Sequence, residues 1–218
     1  MVFMYWSKFR AVKVRFFSIG IIICFLIMYS GIADSHDPES KGIEEENKDG
    51  ESKSFQLEDF ILSSPEGALS LKDLRGSVVL LFFGFTSCAD VCPISLATIS
   101  HAFSNLNANE LKLSKSLFIS LDPERDTLEK LKSYTGYFHS NIIGVTGTMK
   151  ELGMVTEIFG VNFEKKDSPD SALGYVIYHS SKIFVIDPQG VLQKTIPHNT
   201  DSKLLSEQIR SLLVKNQL

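Results

Sequence analysis

The chain has 218 residues, 44% of them hydrophobic and 22% charged, with a formal net charge of −4. That length suits one globular domain with attachments. So mild an acidity gives none of the basic surface that nucleic-acid recognition needs, which excludes nucleic acid as a partner.

Residues 1–33 carry Lys8, Arg10, Lys13 and Arg15 and no acid, and 16–33 are uncharged and largely apolar. This reads as a membrane anchor or signal segment. Gly31, Ile32 and Ala33 offer small residues where a signal peptidase can cut, but the basic flank and the long apolar run favour a retained anchor. The basic flank holds the N-terminus on the cytoplasmic or matrix side, so the rest of the chain is expected across the membrane. The expected location is a bacterial inner membrane with the domain in the periplasm; the alternative is a mitochondrial inner membrane facing the intermembrane space. The short stretch ahead of residue 16 favours the bacterial case. Cys24 lies within the apolar run and reads as an inert membrane thiol.

Residues 34–54 are almost devoid of apolar side chains, and eight acids face three lysines over 34–53. Such a segment buries too little surface to offset its ordering entropy, and reads as a flexible acidic tether. A folded domain is expected over 55–218. Its first two runs, FQLEDFIL and ALSLKDL separated by SSPEG, read as an N-terminal β-hairpin. Then come a buried strand over 80–85, a helix over 93–106 opened by Pro93, a strand over 117–121, a helix over 127–138, a strand over 142–145 and a helix over 149–159. Residues 175–178 and 182–186 read as β-structure, Asp187 to Gly190 as a turn, 191–196 as a hairpin partner and 202–214 as a closing helix. Alternating β and α units followed by a hairpin and a last helix predict an α/β sandwich of thioredoxin type with an extra N-terminal hairpin.

Cys88 and Cys92 fall between the run VVLLFFGF and the expected helix, and they are the only cysteines outside the N-terminal apolar segment. Thiols at a helix N-terminus meet a positive dipole end and free backbone N–H groups. Both favour the thiolate, which attacks disulfides and binds soft metals. If the strand over 182–186 runs antiparallel beside the one over 80–85, it begins where that one ends. His179, just before it, then lands beside the thiols. Two thiolates and an imidazole make a three-coordinate soft site suited to Cu(I), and able to hold Cu(II) with an added ligand; zinc wants a fourth ligand that the sequence does not offer.

The stretches FFGFTSCADVCP, SLDPERDT, VTG and YHSSKIFVIDPQG resemble the Sco/SenC family of membrane-anchored, thioredoxin-fold copper proteins over roughly residues 55–215. The resemblance implies copper bound by Cys88, Cys92 and His179. It also implies a role in building the binuclear copper centre of cytochrome c oxidase, by copper delivery, thiol reduction or both. The expected partners are subunit II of that oxidase or its assembly factors, with an unidentified upstream copper donor. The chain departs from the family's usual pattern at Ser87 and Ala89, which flank the first cysteine, and at Tyr178, where an Asp usually precedes the ligand histidine.

Other residues have plainer readings. Asp126 is expected to cap the helix opening at Thr127 with Glu129 completing the box, and Arg125 to pair with Asp122. His101, His139 and His198 are expected in solvent, and Met149 and Met154 as helix and core residues. Two alternatives to the copper metallochaperone remain. One is a thiol-disulfide oxidoreductase using a redox-active Cys88–Cys92 pair, although the spacing is C-x-x-x-C and no proline precedes Lys182. The other is a copper or redox sensor that transfers no metal. No turnover enzyme is expected.

Overall fold

The run VVLLFFG is buried along its whole length, so a strand made of it has to be covered on both faces. The computed structural model describes residues 54–169 and 174–215. The expected anchor, Cys24 and all but the last residue of the tether lie outside these. Among the described residues no helix is long and apolar enough to cross a membrane. In chain order the strands are β1 (Phe55–Gln56), β2 (Ile61–Ser64), β3 (Gly67–Ser70), β4 (Val78–Gly84), β5 (Ser114–Ser120), β6 (Ile142–Val145), β7 (Phe163–Asp167), β8 (Tyr175–His179), β9 (Lys182–Ile186) and β10 (Val191–Pro197). The helices are α1 (Val91–Ser104), α2 (Ala108–Lys112), α3 (Leu128–Phe138), α4 (Met149–Ile158) and α5 (Ser202–Lys215).

Six strands form one sheet in the order β1-β10-β9-β4-β5-β6. β4 lies at its heart, parallel to β5 and antiparallel to β9, with Phe82 opposite Ile183. Side chains alternate along β4. Val78, Leu80 and Phe82 join a core with Leu96, Ile99 and Phe103 of α1, Leu131 of α3 and Leu205 and Ile209 of α5. Val79, Leu81 and Phe83 join a second core with Leu62, with Leu152 and Val155 of α4, and with Phe184. Truncating a fully buried phenylalanine such as Phe82 or Phe83 to alanine costs about 3–5 kcal/mol. The result is the expected α/β sandwich.

The N-terminal hairpin is shorter than the sequence suggested. Only β2 and β3 pair with each other, while Phe55 and Gln56 cross to Leu192 and Val191 of β10. Ser63 and Thr146 exchange backbone hydrogen bonds of 2.8 and 3.0 Å, which pin the hairpin beside β6. Two elements were invisible in the sequence. α2 is a single turn held by an Asn107–Glu110 capping box with no buried residue. β7 is exposed at four of its five positions and exists through its pairing with β8.

Several expectations need correction. α1 opens at Val91 rather than Pro93, which is its third residue, where a missing N–H costs no helical bond. Thr127, not Asp126, caps α3, its side chain accepting from the Lys130 N–H. Met149 and Met154 are exposed, not core residues. His139 is no solvated side chain: its ring lies 5.2 Å from that of Phe103, its Nδ1 accepts from the Asn141 N–H at 3.0 Å, and burial lowers its pKa. His198 is half-buried, with Nδ1 3.3 Å from the Ser181 carbonyl.

Candidate metal centre

β4 delivers the chain to the two thiols. A Cβ added to Gly84, its last residue, would lie 2.7 Å from Sγ of Cys92 and 2.7 Å from Cε2 of Phe118. Glycine is needed here for space. Beyond Phe85 the chain turns, and the Cys88 N–H donates to the Phe85 carbonyl at 3.2 Å. Cys88 is half-buried and Cys92 fully buried, and neither forms a disulfide. Because α1 begins at Val91, Cys92 lies inside its first turn rather than before it, where the helix dipole is positive.

The two thiols differ sharply. The neighbouring Cys92 thiol, against the opposing effect of burial and with help from the Asp90 and Cys92 backbone N–H groups and His179, lowers Cys88 to about 5 from an ordinary 9.0. The influence of Cys88, reinforced by burial, pushes Cys92 far above the thiol range. The half-exposed Cys88 is thus shifted toward the thiolate and the buried Cys92 toward the thiol.

His179 ends β8. Its ring lies 6.4 Å from Phe82 and 6.1 Å from Phe85, edge to face, so it sits over the residues that lead into the cysteine turn. Nδ1 is 3.0 Å from the Ser180 carbonyl, and donating there leaves Nε2 with a free lone pair. Among the described residues no three of His, Cys, Asp and Glu gather closely enough to hold a metal ion. The two free thiols lie at the start of α1 and the imidazole lies over the strand that leads to them, without closing a three-ligand cage.

Asp126, expected as a helix cap, braces the site instead. Its fully buried carboxylate accepts from the Thr86 N–H at 2.8 Å, from the Thr86 hydroxyl, from the Ser120 hydroxyl at 2.6 Å and from Lys130 Nζ at 3.1 Å. The cysteine turn is thereby tied to the end of β5. Arg125 pairs with Asp122 as expected. Tyr134 also escaped the sequence reading: its buried hydroxyl has no hydrogen-bond partner among the described residues, and burial followed by charge on the two cysteines raises its pKa. No sequence signal marks it, since an aromatic in a helix reads as core.

The family model SCO1/SenC matches residues 48–214. The chain belongs to the SCO1/SenC family. An SCO2-like protein of Rickettsia conorii is 34% identical over 154 residues, which cover 70% of this chain and 75% of the relative. The copper-bound structure of Arabidopsis thaliana ScoI is similar with a TM-score of 0.67 at 30% identity, over 74% of this chain and 99% of that one. The apo Sco1 protein of Thermus thermophilus also has a TM-score of 0.67 at 30% identity, over 72% of this chain and 92% of its own. These likenesses identify the sandwich as the thioredoxin-like Sco fold.

Proposed function

We propose that this SCO1/SenC chain is a membrane-tethered copper metallochaperone. It takes copper as cargo on Cys88, Cys92 and His179, and serves the assembly of the binuclear copper centre of cytochrome c oxidase. The observation that carries this reading is a pair of free thiols at a helix start, with the His179 ring over Phe82 and Phe85, the residues that lead into the cysteine turn. Two sulfurs and one nitrogen fit Cu(I), and Cu(II) is admitted when a further ligand joins. Relatives solved with copper bound, from Arabidopsis thaliana and yeast, support it. The recipient is subunit II of the oxidase or an assembly factor. Residues 1–33 anchor the protein and 34–54 tether the domain, which works in a bacterial periplasm.

The asymmetry of the thiols favours a second activity at the same place. A low-pKa Cys88 backed by a buried Cys92 suits attack on a partner's disulfide followed by closure of Cys88–Cys92, which returns two electrons and two protons to the partner's thiols. Copper and disulfide then exclude each other, since both use the same sulfurs.

Metal analysis with free-thiol counting on the full chain purified without oxygen tests the proposal. Reduced protein is expected to take one Cu(I), and protein oxidised to the Cys88–Cys92 disulfide none. Equal uptake by both, with the disulfide verified by mass, overturns it.

A further inference from the structure

A second cluster gathers at Tyr175, the end of β8 opposite His179. The Arg125 guanidinium stacks 3.7 Å from the centre of the Tyr175 ring, and its Nη1 donates to the Tyr175 carbonyl at 3.3 Å. The Tyr175 hydroxyl donates to Asp122 at 2.6 Å, and Asp122 is the carboxylate with which Arg125 pairs. Lys165 of β7 holds its ammonium 3.9 Å from the same ring while pairing with Glu124 at 2.7 Å. Arg125 also lies 6.0 Å from the Phe85 ring, which in turn lies 6.1 Å from His179.

β7 and β8 form a two-stranded sheet of their own, apart from the six-stranded one. A lone two-stranded hairpin is marginally stable in water, so its side-chain attachments decide where its end residue sits. The attachments at this end of the hairpin run from Tyr175 to Asp122 and Arg125 and from Lys165 to Glu124. The same short loop carries Asp126, which holds the cysteine turn through Thr86. One loop therefore anchors both halves of the site.

We propose that Arg125 and Tyr175 are positioning residues for His179: by fixing the β7–β8 hairpin to the loop that also fixes the cysteine turn, they set the reach of the imidazole to the two sulfurs. This rests on the copper reading above. Asp122 is 2% exposed and Arg125 18% in their side chains. In so dry a setting a charge-assisted pair that also clamps an aromatic ring is worth more than the same pair in water. The proposed effect on copper passes through His179, and removing His179 separates it from a general structural role.

The test uses the full chain with Arg125→Gln, Tyr175→Leu and Tyr175→Phe, each made with His179 present and in a His179→Ala background. Cu(II) is the probe, read by affinity and by the imidazole nitrogen coupling in its electron paramagnetic resonance spectrum. With His179 present, Arg125→Gln and Tyr175→Leu are expected to weaken Cu(II) about 10- to 100-fold and to diminish the nitrogen coupling. In the His179→Ala background they are expected to change affinity by less than about twofold, the signature of coupled neighbours. Amide exchange on metal-free protein is expected to accelerate in Phe163–Asp167 and Tyr175–His179 while Val78–Gly84 is unchanged. Equal weakening in both backgrounds, or unaltered exchange in the hairpin, overturns the proposal. Should Arg125→Gln unfold the loop, the Val78–Gly84 amides reveal it. Tyr175→Phe, which keeps the ring and loses only the bond to Asp122, then carries the same comparison. A wild-type chain that takes no copper overturns the metallochaperone reading, and the amide exchange still decides whether the hairpin is held by Arg125 and Tyr175.

Discussion

Asp126 holds Thr86 twice, by backbone N–H and by hydroxyl, across a separation of 40 residues in the chain. The carboxylate is fully buried, so Asp126→Ala strands the Thr86 N–H and the Ser120 hydroxyl together. The expected cost is about 3 kcal/mol in urea unfolding. Copper affinity is expected to fall as well, because the turn before Cys88 loses its tie to β5. An unfolding midpoint matching wild type would show that the turn is held by something else.

The thiols give a pH signature. Cys88 is lowered to about 5 from 9.0, so alkylation of one thiol is expected to stay rapid down to about pH 5 while the other stays slow. For folding, a depressed pKa means the thiolate favours the native state. That contribution is complete above the unfolded value near 9 and is lost as pH falls through about 5. Cys92→Ala removes the interaction with Cys88, and the reactive pKa is expected to climb toward 9.0. Alkylation rates across pH 4–10 check it; identical profiles for wild type and Cys92→Ala would contradict the assignment.

Cys88→Ser and Cys92→Ser are each expected to abolish tight Cu(I) binding, and His179→Ala only to weaken it. Two thiolates still hold Cu(I) in a two-coordinate arrangement. Competition against a Cu(I) chelator measures the order; full occupancy of the double cysteine variant refutes the site.

Gly84→Ala places a methyl 2.7 Å from both Cys92 Sγ and the Phe118 ring. Neither neighbour is a flexible tip, so about 1–3 kcal/mol of overpacking strain is expected, with Cys92 displaced and the alkylation profile of Cys88 altered. Thermal unfolding and alkylation together read the two effects.

Tyr178 is 59% exposed and pairs with Glu164. Alternation along β8 turns it away from the face that His179 uses. Tyr178→Asp, which restores the residue usual in the family, is expected to leave Cu(II) affinity within about twofold and to weaken the hairpin through repulsion by Glu164, about 0.2–1 kcal/mol. A clear tightening of Cu(II) would place the side chain beside the metal instead.

What the sequence could announce depended on periodicity. β4 and β9 are continuous buried apolar runs and α1 buries a helical stripe, and their places were readable within a few residues. β7 reads FEKKD and α2 reads ANELK. Neither has an apolar stripe, so pairing and capping alone make them regular. Cys88, Cys92 and His179 stood out because thiols and a late histidine are scarce chemistry. Asp126 and Tyr175 did not. An aspartate before Thr127 looks like a cap, and a tyrosine in a strand looks like core; only the three-dimensional meeting of Ser120, Thr86 and Arg125 with them shows otherwise.

The antiparallel pairing of β4 with β9 has a consequence for biosynthesis. β4 and the cysteine turn emerge early from the ribosome, whereas β9 and the histidine that precedes it come late. Until β9 docks, the central strand lacks a neighbour, and the thiols have neither the imidazole nor the closed core around Cys92. Pairings so distant along the chain are slow to form and leave intermediates exposed. Before that pairing the two sulfurs are expected to be open to oxidants and stray metals, and refolding under reducing conditions is expected to raise the yield of copper-competent protein.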